Sequence, residues 1–389
     1  MRKQDRIDWM DGLKGIACIL IFVHHFLLMF YPAVHYGEAV PTKCRGLDIY
    51  LSQSPLSVIV NGNFLVALFC IISGIVISLQ IMTMEDKNQL ADIVLKRYLR
   101  LMLPVIPVGL CVYVMLRTGL FQHWEVVNHT QSPWVTHFYQ EPISFVQTIR
   151  IVLVDIWFWG NDRLSTAFWM LADLFYGTFW SIALSTVCWK YPRRTWIIYV
   201  LAAMALYGHG TIRLAFVLGT FLAWIYLRCP QYFRKTWGLA ALGIGIFLGG
   251  YPSGVVPDNL YRYLGAANYY IDIHILGAFL TLYGIWSLKI LQKLLSTSIC
   301  RNLGLISYSV YLIHIPLLFS FSAWLFLIAR DKMPYLYSAI LSLSASLILL
   351  MAVANMYYRF VEKKAVRLQK KMLNWLYRQN TQPTKQENL

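Results

Sequence analysis

The chain has 389 residues, 58% of them hydrophobic and only 13% charged, and its mean hydropathy is +0.54. That composition excludes an ordinary soluble enzyme of one or two domains and indicates an all-α polytopic membrane protein. The net charge of +16 is spread along the chain rather than gathered on a basic domain, so it reads as a membrane charge bias and not as a nucleic-acid footprint.

Apolar windows bounded by charges and turn residues predict about ten spans, near 13–31, 58–80, 99–116, 166–187, 196–209, 212–227, 236–251, 269–288, 303–326 and 335–357. The fifth is short, either re-entrant or one arm of a bent hairpin over 196–227. The first lacks an A-x-A cleavage site after its apolar run, so it reads as a retained helix rather than a signal peptide. With the N-terminus cytoplasmic, the cytoplasmic segments 1–14, 81–100, 188–195, 228–235, 289–301 and 358–389 carry 4, 4, 3, 3, 3 and 8 Lys/Arg, or 25. The opposite side carries the remaining 9 of the 34. This bias predicts cytoplasmic termini and a multi-pass protein of the cell membrane. Of seven cysteines only Cys44 falls clearly outside, so no external disulfide within the chain is expected, and no Cys/His spacing suggests a metal.

Polar residues inside these spans are the candidates for chemistry, because ionisable groups in lipid are costly. In "DGLKGIACILIFVHHF", Lys14 and His25 are separated by three helical turns plus about 20°, so they share a face about 16 Å apart along the axis. His24 is rotated about 100° away. Read alone, Lys14 is equally a snorkelling anchor and His25 an interior hydrogen-bonded residue. Ser73-Gly74 in the second span suits close helix packing. Arg97 and Arg100, at i and i+3, suit a phosphate or plain interfacial anchoring. Asp173 lies within the fourth span, with Trp169 at i−4 and Tyr176 at i+3. Ser307, Tyr311 and His314 form one stripe of the ninth span, and Asp272 and His274 stand near the outer end of the eighth. Together they suggest a polar tunnel with a phosphate end and an imidazole middle. The external connection 117–165, with His123, His129, His137 and several Trp, is too long for a turn and predicts an ordered lid or a short amphipathic segment. The tail "RFVEKKAVRLQKKMLNWLYR" reads as a basic amphipathic helix on anionic lipid, and the last ten residues as disordered. No internal helical repeat is evident.

In order along the chain these motifs resemble the acyltransferase-3 family of integral-membrane acyltransferases. Lys14 and His25 are similar to its basic residue, ten-residue gap and histidine; Ser73-Gly74-Ile75 to its SGF; Arg97 and Arg100 to its R-x-x-R; Trp169 to Asp173 to its W-T/S-L-x-x-E; Gly304 to His314 to its G-x-x-S-Y-x-x-Y-L-x-H; and Glu362 to its terminal acidic residue. The departures are Lys14 where Arg is common, Asp173 where Glu is common, a lost aromatic in SGI, and a possible extra residue between Arg100 and Pro104. The resemblance covers about residues 5–365, so a transmembrane domain over 1–365 and a tail over 366–389 are expected.

The resemblance implies O-acyl transfer, most commonly of acetyl, from coenzyme A to a hydroxyl of a cell-surface glycan or related acceptor. Acetyl-coenzyme A is then a substrate, with no bound cofactor. It implies His25 as general base or transient acyl acceptor, with Asp173 and His314 beside it. Lys14, Arg97 and Arg100 hold the coenzyme phosphates near Ser73, and Trp169, Tyr176, Ser307 and Tyr311 form the acceptor side and tunnel wall. The partners expected are acyl-coenzyme A, a hydroxyl acceptor and the bilayer, with no nucleic acid and an oligomer possible. The rival class is an exporter of a small metabolite, whose inverted repeat or paired broken spans are not evident here. An acyltransferase acting on a small molecule is a second alternative.

Overall fold

A computed structural model describes residues 7–84, 90–209, 211–253, 259–264 and 267–380. Among the described residues the architecture is helical, without strands. The principal helices are α1 (Asp8–Phe30), α2 (Gly62–Met82), α3 (Leu90–Arg117), α4 (Trp169–Lys190), α5 (Thr195–Leu206), α6 (Leu214–Arg228), α7 (Lys235–Gly249), α8 (Tyr270–Ser287), α9 (Ser298–Leu317), α10 (Ala323–Arg330), α11 (Tyr335–Tyr357) and α12 (Lys363–Asn380).

Each of the ten apolar windows has become a helix, but they are not ten equivalent spans. Six stretches are long and apolar enough to cross a membrane: Asp8–Phe30, Gly62–Met82, Asp92–Arg117, Thr166–Lys190, Ser298–Arg330 and Tyr335–Trp375. A seventh follows if α8 and Lys289–Leu295, which meet at 98°, are taken together. At 1.5 Å per residue, α5, α6 and α7 reach only about 18–23 Å, short of a hydrocarbon core of about 30 Å. The expectation of ten spans is therefore corrected to six or seven membrane-capable helices plus three short ones. Hydropathy windows register apolar composition and not helix length. The 196–227 stretch is two helices, parted by a turn with Gly208 at φ +77°.

Two close approaches organise the interior. A Cβ on Gly15 would stand 2.5 Å from the Gly304 backbone nitrogen, and one on Gly304 would stand 2.3 Å from the Asp11 carbonyl oxygen. Only glycine permits α1 and α9 to meet backbone to backbone. Gly74 and Gly219 do the same for α2 and α6. Along the α1–α9 seam Gly15 meets Gly304, Cys18 donates to the Ser307 carbonyl, and His25 meets His314, always with a sequence offset of 289. A constant offset means that the two helices run parallel and in register.

The connection 118–165 is ordered, with short helices at His123–Thr130 and Phe145–Arg150 and a π-turn at Ile151–Asp155. Ser132 Oγ donates to the Leu28 carbonyl at 2.7 Å, which ties this segment to the end of α1. The tail helix continues from α11 through a π-turn at Tyr358–Glu362. One face packs inward, with Ala365, Gln369 and Leu373 buried and Gln369 Nε2 donating to the Lys96 carbonyl at 2.8 Å. The tail is thus docked on α3, with only its other face available for lipid. The expected disorder of the last ten residues falls almost wholly on 381–389, outside the described residues.

Candidate active site

The α1–α9 seam carries two linked features. Near the N-terminal ends of α1 and α9 lies a cleft of about 1030 Å³, at the upper end of the usual size of small-molecule sites. Lys14 and Cys18 of α1, Ser73 of α2, Arg97 and Arg100 of α3, and Ser307 and Tyr311 of α9 line it. Lys363 and Arg367 of the tail helix stand at its rim. Lys14 is held by Asp11, Nζ to Oδ1 2.9 Å. Arg97 is different: its Nε is buried without a hydrogen-bond partner among the described residues. An unsatisfied buried guanidinium nitrogen is costly and is relieved by an anion. Ser307, by contrast, spends its hydroxyl on the Gly304 carbonyl at 2.9 Å.

Further along the seam sit the imidazoles. His314 Nδ1 lies 2.6 Å from the Tyr311 carbonyl, and His25 Nδ1 lies 3.0 Å from the Ile21 carbonyl. A carbonyl only accepts, so both Nδ1 atoms carry protons in the neutral rings. His314 Nε2 then bears a lone pair and stands 3.3 Å from His25 Nδ1, sharing that proton with Ile21. The consequence is a defined tautomer of His25 with its free lone pair on Nε2, as a general base requires. The rings of His25 and Trp134 lie 5.3 Å apart, so the 118–165 segment covers the pair. Tyr311 separates the two features. It lines the cleft, donates its hydroxyl to the Ala167 carbonyl, and holds His314 through its own backbone.

The structure brings together Lys14, Ser73, Arg97, Arg100, Ser307 and Tyr311 in the cleft, and His25 and His314 behind it. Three expected residues stand elsewhere. Asp173 pairs with Arg213, Oδ1 to Nε 3.1 Å, so a guanidinium and not an imidazole engages its carboxylate. Tyr176 lies under the same Arg213, 5.3 Å from ring centroid to guanidinium, and donates to the Phe158 carbonyl at 3.1 Å. Trp169 is 38% exposed. None of the three lines the cleft, where Met170 and Leu174 represent α4. One turn of helix decides this: the cleft-facing side of α4 is apolar. Glu362 does reach the cleft and accepts from Ser309 Oγ at 2.8 Å. Trp134 was hidden in a polar segment where a lone Trp gives no spacing signal. Arg213 was hidden because it stands at the very start of the 212–227 window, where a single basic residue reads as an anchor.

Residues 7–356 match an acyltransferase domain, that of the acyltransferase-3 family. The chain is also similar to Acyltransferase clz18 of Cochliobolus lunatus, 23% identical over 395 residues that cover 82% of this chain and 84% of that protein. No solved structure matches. A match over nine-tenths of the chain, together with a cationic cleft and a paired imidazole on one helix seam, assigns it: the chain belongs to the acyltransferase-3 family of membrane acyltransferases.

Proposed function

We propose that the protein transfers an acyl group, acetyl in the commonest case, from cytoplasmic acyl-coenzyme A to a hydroxyl acceptor presented from the other side of the membrane, such as a surface glycan. The observation that carries this reading is the α1–α9 seam, which aligns a cationic cleft with an imidazole pair. Lys14, Arg97 and Arg100 hold the coenzyme phosphates, and Arg97 gains its missing partner. The Lys/Arg bias favours a cytoplasmic N-terminal end of α1, the side on which acyl-coenzyme A is found. From Lys14 to His25 α1 rises about 16 Å, a separation suited to an extended donor whose phosphates and reacting thioester lie far apart.

His25 Nε2 takes the acceptor's hydroxyl proton as the oxygen attacks the thioester carbonyl. The new C–O bond forms, the C–S bond breaks, and the departing thiolate recovers the proton from His25. His314 is a positioning residue: together with the Ile21 carbonyl it holds His25 in one tautomer, and it stabilises the imidazolium that forms. Purified protein in lipid nanodiscs supplied with acetyl-coenzyme A is expected to release free coenzyme A thiol. Movement of a metabolite across proteoliposomes without thioester cleavage would instead favour an exporter.

A further inference from the structure

The tail helix α12 presents three faces. Ala365, Gln369 and Leu373 are buried at a spacing of four residues and form the packed face. Lys364, Leu368, Lys371 and Trp375 are exposed along a second stripe, whose basic and apolar mixture suits a lipid surface. Lys363, Val366 and Arg367, at i, i+3 and i+4, make the third, and all three line the cationic cleft. This arrangement is tied down at two points. Gln369 Nε2 donates to the Lys96 carbonyl, one residue before Arg97, and Glu362 accepts from Ser309 Oγ of α9. A second basic pair, Lys363 and Arg367, therefore shares one cleft with the first, Arg97 and Arg100.

The two pairs stand at different depths. Arg97 is half-buried with its Nε shielded, whereas Lys363 and Arg367 are exposed at the mouth. Among the described residues neither Lys363 nor Arg367 has an ion-pair partner; Lys363 rests against Tyr358, 5.0 Å from Nζ to ring centroid. Around the cleft five cations face two carboxylates, Asp11 and Glu362, and Asp11 engages Lys14. Acyl-coenzyme A carries its charge in a matching order. Going away from the thioester, the molecule reaches first a pyrophosphate and then, on the ribose, a separate phosphomonoester. Such a monoester bears about −1.5 to −2 charge at pH 7. A donor whose thioester points toward His25 and whose pyrophosphate sits at Arg97 carries its monoester outward, to the exposed pair.

We infer that Lys363 and Arg367 bind the ribose phosphomonoester of the donor, so that the tail helix completes the donor site and sets a preference for coenzyme A thioesters over those lacking this phosphate. An ammonium and a guanidinium one helical turn apart grip the terminal oxygens of a dianion from two directions. A lipid phosphate has the same chemistry, and position decides between the two. The stripe suited to lipid runs through Lys364 and Lys371, whereas Lys363 and Arg367 turn to the cleft.

The inference rests on the acyl-coenzyme A reading of the cleft, and its test separates the two. Affinities for coenzyme A and for dephospho-coenzyme A, which lacks the ribose phosphate, are measured by calorimetry on the full chain. Nanodiscs of neutral lipid and nanodiscs containing phosphatidylglycerol are compared. The wild type is expected to bind coenzyme A about ten-fold or more tighter than dephospho-coenzyme A. The double variant Lys363→Gln with Arg367→Gln is expected to lose this preference by weakening coenzyme A alone, and Lys363→Arg to keep it. Lys364→Gln with Lys371→Gln should change neither affinity. Equal affinities of the wild type for the two ligands, or a double variant that retains the preference, would overturn the assignment. So would a loss shared equally by both ligands, which in anionic lipid alone would mark the pair as a lipid anchor. A wild type that binds neither ligand would instead overturn the acyl-coenzyme A reading itself. Thermal melting reports folding, and if the double variant melts early, Lys363→Gln and Arg367→Gln taken singly decide by the same readout.

Discussion

His314 Nε2 lies 3.3 Å from His25 Nδ1, in register across two parallel helices that touch through Gly15 and Gly304. Neither imidazole needs the other to be satisfied, because each already has a backbone carbonyl. Their contact therefore adds what structure alone does not require: an imidazole held in one tautomer beside a group that accepts its rear proton. The same seam, three turns lower, places Lys14 in the cationic cleft. The proposed chemistry thus depends on the relative placement of α1 and α9.

Removing the Arg97 guanidinium should weaken donor binding and leave chemistry nearly intact. A hydrogen bond to a charged group is worth about 1.5–3 kcal/mol, so Arg97→Ala should raise the acyl-coenzyme A KM by roughly 10–100-fold. Arg97→Lys should recover only part of this, since an ammonium is not a bidentate fork. Steady-state kinetics in nanodiscs checks it; an unchanged KM would reject the phosphate assignment.

Asp173 and Arg213 should behave as one structural unit. Either Asp173→Asn or Arg213→Gln leaves its partner half-buried and unpaired, whereas the double variant removes both charges. Each single variant is expected to lower thermal stability by about 1–3 kcal/mol, with the double variant losing less than the sum. The donor KM should not move. Additive losses, or a loss of kcat confined to Asp173→Asn at unchanged stability, would restore Asp173 to the chemistry.

Gly304→Ala tests the seam. The added methyl would stand 2.3 Å from the Asp11 carbonyl oxygen, so backbone must yield. Overpacking of this kind costs about 1–3 kcal/mol. Because the shift propagates to His314, turnover should fall further than stability alone explains. Differential scanning fluorimetry beside thiol release checks both, and a fully active, equally stable variant would show that the helices do not touch here.

Acidification should loosen the segment over His25. His123 is buried against Phe319, rings stacked at 4.6 Å, and burial pushes its imidazole down to about 4. Tyr139 is the titratable neighbour, 5.4 Å away between ring centroids. A histidine kept neutral in the fold contributes fully above its unfolded value near 6.5, and this is lost as pH falls toward 4. By pH 5 the loss amounts to about 2 kcal/mol. Limited proteolysis of the 118–165 segment should accelerate between pH 7 and 5, and His123→Phe should remove that dependence. Equal acceleration in His123→Phe would contradict it.

The seam was legible in the sequence. Helical phase alone put Lys14 with His25, and Ser307 with Tyr311 and His314, and the structure brings both faces together. Periodicity reports such faces well because 3.6 residues per turn fixes them locally. What it did not report depends on tertiary partners. Asp173 looked chemical because nothing in its own span balances it, yet Arg213 comes from a turn 40 residues away. Trp134 sits in a polar connection, whose path no period constrains. Span number was overread for the same reason: α5, α6 and α7 have apolar composition, but breaks such as that at Gly208 shorten them.

The central claim is that His25 is the base and that His314 positions it. The most direct measurement is coenzyme A thiol release by purified His25→Ala and His314→Asn, with acetyl-coenzyme A binding measured on the same samples. We expect binding within about two-fold of wild type, a fall in kcat of about 10²–10⁴ for His25→Ala, and a smaller fall of about 10–100-fold for His314→Asn. Wild-type turnover by His25→Ala at intact donor binding would contradict the account.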